Sequence, residues 1–152
     1  MKTTTVGEFY IIGIAIRTSN ENGQSATDIP LLWNRFLSEQ IMAKIPNKIS
    51  GDIYCVYTDY EKDHTRPYTT VVGCKVELLE EIPEGLTGLT INEGNYIPFT
   101  ATGNIAEGIV FKEWTNIWNL NLPRAYTADF EVYGEKTQNP GQAEVDIFIA
   151  VN

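Results

Sequence analysis

The sequence predicts an α+β fold in which a β-α-β-β unit is used twice, giving an antiparallel sheet with two main helices and a central groove. Three observations predict it. A strand-like run, a Trp-bearing amphipathic stretch and two more strand-like runs occupy roughly residues 9–80, and the same order recurs over roughly 86–152. The segment from Ile29 through Trp33 to Phe36 answers the one from Phe111 through Trp114 to Trp118. Asp52-Ile53-Tyr54-Cys55-Val56-Tyr57 answers Asp129-Phe130-Glu131-Val132-Tyr133. A repeated element order is the signature of duplication, and small-molecule pockets favour the junction between two such units. The 152 residues are read as one domain of two pseudo-repeats, about 1–82 and 83–152.

Each element has its own signal. Phe9–Arg17 is β-branched and apolar, a first strand with a kink at Gly13. Thr18–Thr27 is polar, with Asn22-Gly23 as a turn, and reads as a loop able to overhang a site. Thr27 or Asp28 can cap a helix with Pro30 in its first turn. Ile29, Leu32, Trp33, Phe36, Leu37, Ile41 and Ile45 then recur at helical spacing, and Pro46 stops the run. Residues 52–60 and 69–79 are strands, with His64 in the loop between them. Ile82-Pro83-Glu84-Gly85 divides the halves. Residues 86–91 and 96–102 read as a hairpin around Asn92-Glu93-Gly94. Asn104 and Glu107 have the spacing of a capping box, opening a helix whose buried face is Val110, Phe111, Trp114, Ile117 and Trp118, closed by Pro123. Residues 127–133 and 144–151 are the last strands.

Composition excludes several functions. The chain carries 11 Lys and Arg against 20 Asp and Glu, a net charge of −9. Such a surface repels phosphate backbones, and no basic cluster offsets it, so direct nucleic-acid binding is not expected. An acidic field favours cationic ligands. The apolar run 10–16 is too short for a membrane span, and no targeting signal is visible, so the expected location is the cytoplasm. Cys55 and Cys74 lie in strand-like runs and read as buried free thiols. No metal site, cofactor motif, phosphate-cradling loop or Ser-His-Asp arrangement is found, and the lone His64 reads as solvated surface.

Glu131 is the residue with chemical promise. Alternation sets Phe130 and Val132 on one face of a strand and Asp129, Glu131 and Tyr133 on the other. That second face is either the wet side of a sheet or the wall of a cleft between the halves. In a cleft, the poorly solvated carboxylate would draw in a cation, with aromatic rings adding cation–π attraction, or act as a general base on bound water. Cys55 occupies the matching position in the first half, so a paired-carboxylate hydrolase is disfavoured. Trp33, Trp114 and Trp118 serve either as core or as ligand platform.

The pattern Ile29-Pro30-x2-Trp33-x2-Phe36, then Tyr54-x2-Tyr57-x2-Tyr60, then Trp114-x3-Trp118-x4-Pro123 and Phe130-Glu131-Val132-Tyr133, resembles the GyrI-like small-molecule-binding family, the effector-binding domain of AraC-type and MerR-type multidrug regulators. The resemblance covers nearly the whole chain. It implies a tandem SHS2 fold whose groove binds lipophilic, often cationic, compounds, with Glu131 at the pocket. The lining expected with it is Tyr133, Trp33, Tyr57, Tyr68 and Trp118. With no helix-turn-helix ahead of Phe9, the chain is expected to be a stand-alone, monomeric member that does not bind an operator itself. The resemblance also leaves open a hydrolase of strained natural products with Glu131 as catalytic residue, and an acidic protein that docks on DNA gyrase or a regulator.

Overall fold

The computed structural model describes residues 2–152. Its strands are β1 (Thr4–Val6), β2 (Phe9–Thr18), β3 (Ile53–Thr58), β4 (Tyr68–Val76), β5 (Thr87–Ile91), β6 (Gly94–Gly103), β7 (Ala128–Tyr133) and β8 (Ala143–Val151). The helices are α1 (Gln24–Ser38), the short α2 (Ile41–Lys44) and α3 (Ile109–Trp118). The strands form one sheet in the order β1-β6-β8-β7-β3-β4-β2-β5, and every pairing is antiparallel.

The duplication is visible in that order. The first unit runs β2-α1-β3-β4 and the second β6-α3-β7-β8. Outward from the middle of the sheet, one reads β3-β4-β2 and the other β7-β8-β6. The halves meet where β3 pairs with β7, which sets Cys55 opposite Glu131, Tyr57 opposite Asp129 and Ile53 opposite Tyr133. Cys55 and Glu131 are also equivalent positions of the two repeats, so the local two-fold axis passes between them.

Period-two alternation sorts side chains to the two faces. On one face Ile12, Ile14, Cys55, Val72 and Cys74 pack under Leu32 and Phe36 of α1. On the same face Ile147 and Ile149 pack under Trp114 and Ile117 of α3. The opposite, curled face holds its own core of Phe9, Ile11, Val56, Val71, Tyr96 and Phe130. Phe130 stacks on Phe148 with ring centroids 4.9 Å apart. Both helices therefore straddle one face, with the β3–β7 seam between them.

Several boundaries differ from the sequence reading. The strand at Phe9 is preceded by the short edge strand β1. Residues 18–27 are not all loop: a single 3-10 turn spans Glu21–Gly23, and α1 starts at Gln24 behind Gly23, whose φ of 69° suits a residue without Cβ. Asp28 lies inside the helix and accepts from Thr18 Oγ1 at 2.9 Å instead of capping. Pro30 falls inside α1 as well. The run breaks at Gln40 (φ 53°), before Pro46, and the turn lets Ile41 and Ile45 fold back into the core. Leu37 is 61% exposed, off the buried stripe. Asn104 caps only a 3-10 turn, through Ala106 N–H at 2.9 Å, and α3 begins after Gly108 (φ 74°).

The expected hairpin of residues 86–102 is not formed. β5 pairs with β2, while β6 pairs with β1 and β8. Asn92 and Glu93 instead connect strands from opposite ends of the sheet order, because the second strand finds nine paired residues on β8 and buries Tyr96 and Ile97 there.

Gly13 lies opposite Gly73 in the β2–β4 pairing. A Cβ on Gly13 would stand 2.1 Å from the Val72 carbonyl oxygen, and one on Gly73 would stand 2.3 Å from that of Ile12. These contacts are with backbone, which has little room to yield. Gly13→Ala is expected to cost about 1–3 kcal/mol through forced backbone shifts, read from urea unfolding; an unchanged midpoint would show that the strands part freely.

Candidate functional site

A cavity of about 320 Å³ opens between α1 and α3 above the β3–β7 seam. Its floor comes from odd-numbered residues of β7 and β3, since alternation aims Glu131, Tyr133 and Tyr57 at the helices. The walls are aromatic and aliphatic: Ile29, Pro30 and Trp33 from α1, and Val110, Phe111, Trp114 and Trp118 from α3.

Glu131 is 1% exposed. Its Oε2 accepts from the Tyr57 hydroxyl at 2.7 Å and from Trp114 Nε1 at 2.6 Å; its Oε1 accepts from the Tyr133 hydroxyl at 2.6 Å. Among the described residues no basic side chain pairs with it. Burial raises its pKa above the ordinary 4.5, and the hydrogen bonds from Tyr133, Tyr57 and Trp114 oppose that rise without cancelling it. Burial and the neighbouring negative charge push the Tyr57 and Tyr133 hydroxyls well up, so both remain donors. Burial likewise pushes the Cys55 thiol well up, reinforced by the charge of Glu131 opposite it.

The rings that surround the carboxylate brace each other edge to face. Trp33 meets Tyr133 at 4.8 Å between centroids and 74°, and Tyr57 meets Trp114 at 5.4 Å and 82°. Tyr57 also abuts Tyr68 at 5.9 Å. Tyr68 is fixed in turn by its hydroxyl bond to Asn20 Oδ1, 2.6 Å. The rings are thus held in place around one carboxylate.

A second buried carboxylate lies two residues away. Asp129 is fully buried and accepts from Arg124 Nη2 at 2.7 Å, Tyr60 Oη at 2.5 Å and the Ala150 N–H at 2.8 Å. The Arg124 side chain is 5% exposed and lies over the Tyr126 ring, 4.3 Å from its centroid. Asp129 therefore carries its own counter-ion, and Glu131 has none among the described residues.

The structure brings Glu131, Tyr133, Trp33, Tyr57, Tyr68 and Trp118 together at one cavity. The face bearing Asp129 and Glu131 is no wet sheet surface, because α1 and α3 cover it. Two readings need correction. His64 is not solvated surface: it is half-buried at the cavity and stacks on Trp118 at 5.7 Å with planes 8° apart. The loop carrying His64 is held inward by Asn20, which donates to the His64 carbonyl, and by the Tyr60 hydroxyl on Asp129. Phe111 is not on a buried face: it is 66% exposed at the cavity mouth. Trp114 combines both roles left open for the tryptophans, packing with Ile117 while its N–H holds Glu131. Arg124, in the irregular stretch before β7, had no sequence signal. Asp129 had one, its shared face with Glu131. Among the described residues no cluster has the makings of a metal site, and no helix is long and apolar enough to cross a membrane.

The chain is similar to known proteins along its whole length. The Vibrio cholerae integron cassette protein VCH_CASS2 is 27% identical, with a TM-score of 0.76 over 99% of this chain and 95% of that one. SAV2435, solved bound to tetraphenylphosphonium, shares the fold at a TM-score of 0.81 and 16% identity, over 99% and 93% of the two chains. The Bacillus subtilis (strain 168) protein YobU, named for transcriptional regulation, is 30% identical over 144 residues, 91% of this chain and 89% of YobU. The Cass2 family model, described as integron-associated effector binding protein, matches residues 3–151, and the chain belongs to that family.

Proposed function

We propose that this protein is a small-molecule effector-binding protein whose cavity takes a lipophilic cation against Glu131. One observation carries the reading: a buried carboxylate held by three neutral donors, ringed by aromatics and, among the described residues, lacking a cationic partner. A buried charge of this kind is costly until it is paired. A cation entering the cavity supplies the pairing, and the faces of Trp33, Tyr57 and Trp118 supply dispersion and cation–π attraction. The cavity is large enough for a compact aromatic cation. The shared fold of SAV2435, which holds tetraphenylphosphonium, supports this choice of ligand class. The kinship with YobU supports a place in ligand-responsive regulation.

Titrating the protein with tetraphenylphosphonium while following tryptophan fluorescence tests the reading, since Trp33, Trp114 and Trp118 all line the site. Saturable quenching near neutral pH is expected; no response up to the solubility limit would overturn it.

The pH dependence has a defined sign. Glu131 binds its proton more tightly in the folded protein than in the unfolded chain. Its ionisation thus withdraws stability as pH rises from the unfolded value of 4.5 through the folded one. Only the ionised form attracts a cation. Affinity is expected to be full above the raised pKa and to fall by about tenfold per pH unit below it. His64 adds to the same trend: burial and then the Arg124 charge lower its pKa below 6.5, so it is neutral near pH 7, and its protonation in acid brings a repelling charge to the cavity. A flat affinity profile through this range would show that the carboxylate is not the cation's partner.

A further inference from the structure

We infer that the cavity has a second polar station, at Arg124 and Trp118, which takes a neutral hydrogen-bond acceptor such as a carbonyl oxygen on the same ligand. This rests on the cation reading and narrows it: the ligand class is a lipophilic monocation with a carbonyl-type group at its far end.

The observation is a set of buried donors without protein acceptors. Nε and Nη1 of Arg124 and Nε1 of Trp118 have no hydrogen-bond partner among the described residues, although both side chains line the cavity. Arg124 uses only Nη2, on Asp129. Buried donors are nearly always satisfied, because each unmatched one keeps its desolvation penalty. Aromatic rings lie against both side chains. Tyr126 lies 4.3 Å from the guanidinium carbon of Arg124, and Trp114 lies 5.9 Å from it. His64 stacks on Trp118, and 6.3 Å from it on Tyr126. A ring face is a weak acceptor, so the donors retain most of their capacity.

His64 is the movable ring on the face of Trp118. Its ring is held by stacking and by a 3.3 Å contact between Nδ1 and the Tyr126 hydroxyl. The backbone beneath it is fixed separately, by Asn20 Nδ2 donating to the His64 carbonyl at 2.9 Å. The imidazole can swing out while the loop stays, and an aryl ring of the ligand can take its place on Trp118.

Charge selects a neutral acceptor over an anion. Asp129 already neutralises Arg124 at 2.7 Å, so the station offers donors without net charge. A carboxylate placed there would share the cavity with Glu131 and meet an Arg124 whose charge Asp129 already balances, so it would have no cation of its own. Asp129 and Glu131 stand two residues apart on β7, roughly 7 Å by strand rise, so cation and acceptor are to be separated by about one aryl ring.

Three probes test this: (4-acetylphenyl)trimethylammonium, its 4-isopropyl counterpart, which keeps the shape and lacks the oxygen, and its 4-carboxyl counterpart. Wild-type protein is expected to bind the acetyl compound roughly tenfold more tightly than the isopropyl one, the scale of one buried hydrogen bond. The carboxyl compound is expected to bind no better than the acetyl one. In Arg124→Lys, which keeps a charge opposite Asp129, and separately in Trp118→Phe, the acetyl-to-isopropyl ratio is expected to drop toward unity, whatever happens to the absolute affinities. Equal binding of the acetyl and isopropyl compounds by wild type would overturn the station and leave the cation reading standing. An undiminished ratio in both variants would overturn its assignment to these residues, and preference for the carboxylate would overturn the neutral class. If none of the three binds, the cation reading falls and takes this inference with it.

Discussion

Glu131→Gln is expected to weaken the binding of an aromatic cation on the order of 100-fold, the scale of removing one member of a buried charge pair. The amide keeps the shape of the carboxylate and removes its charge. The three groups that now donate to Glu131 set the comparison: Tyr57 and Tyr133 can rotate their hydroxyls to accept from the new amide, while Trp114 Nε1 can only donate. The site is thus expected to keep its form, and the unliganded variant to hold or gain stability at neutral pH by on the order of 1 kcal/mol, because a lone buried charge is gone. Titration with phenyltrimethylammonium and with its uncharged isostere tert-butylbenzene separates charge from shape. The variant is expected to lose its preference for the cation over the isostere. Equal loss of both compounds would show that the substitution had damaged the rings instead, and retained preference would remove Glu131 from the account.

Asp129→Asn is expected to cost about 3–5 kcal/mol of stability, the scale observed when one partner of a buried ion pair is removed. Asparagine is nearly isosteric, so the loss is electrostatic: Arg124, with its side chain 5% exposed, would keep its charge with no counter-ion. The Tyr60 and Ala150 donors on the same carboxylate would also meet a weaker acceptor. Urea unfolding of this variant beside Glu39→Gln provides the scale. Glu39 pairs with Arg35 on an exposed helix face, where both side chains are about half exposed, and its loss is expected to cost no more than about 0.5 kcal/mol. Comparable values for the two variants would show that the seam does not depend on the Asp129–Arg124 pair.

Much of this was legible in the sequence, for reasons that can be named. The amphipathic spacing from Ile29 to Phe36 and the alternation from Asp129 to Tyr133 report burial directly, so the helices and the placing of Glu131 could be read. The six residues expected at a pocket do meet at one cavity. What escaped notice depends on contacts distant in sequence. The loop carrying His64 is set by Arg17, which donates to the Asp59 and Pro67 carbonyls, and by Asn20 and Tyr60, each bonded across the fold, so local polarity does not place it. The partners of β5 and β6 are strands distant in sequence, β2 for one and β8 for the other, so the turn signal at Asn92–Gly94 is outweighed. Arg124 lies in an irregular stretch, where no period exists to place a side chain.

The axis between Cys55 and Glu131 sets the valence of the site. In an assembly of two identical chains, a residue on the dyad meets its own copy, so acid there comes as two carboxylates in contact or as none. Two would share a proton or repel each other, and would suit a dication or a metal better than a bulky monocation. Joining the halves in one polypeptide lets the two sides of the dyad mutate separately. One side keeps the carboxylate and the other carries a neutral thiol, so an odd number of charges sits where two identical copies would force an even one.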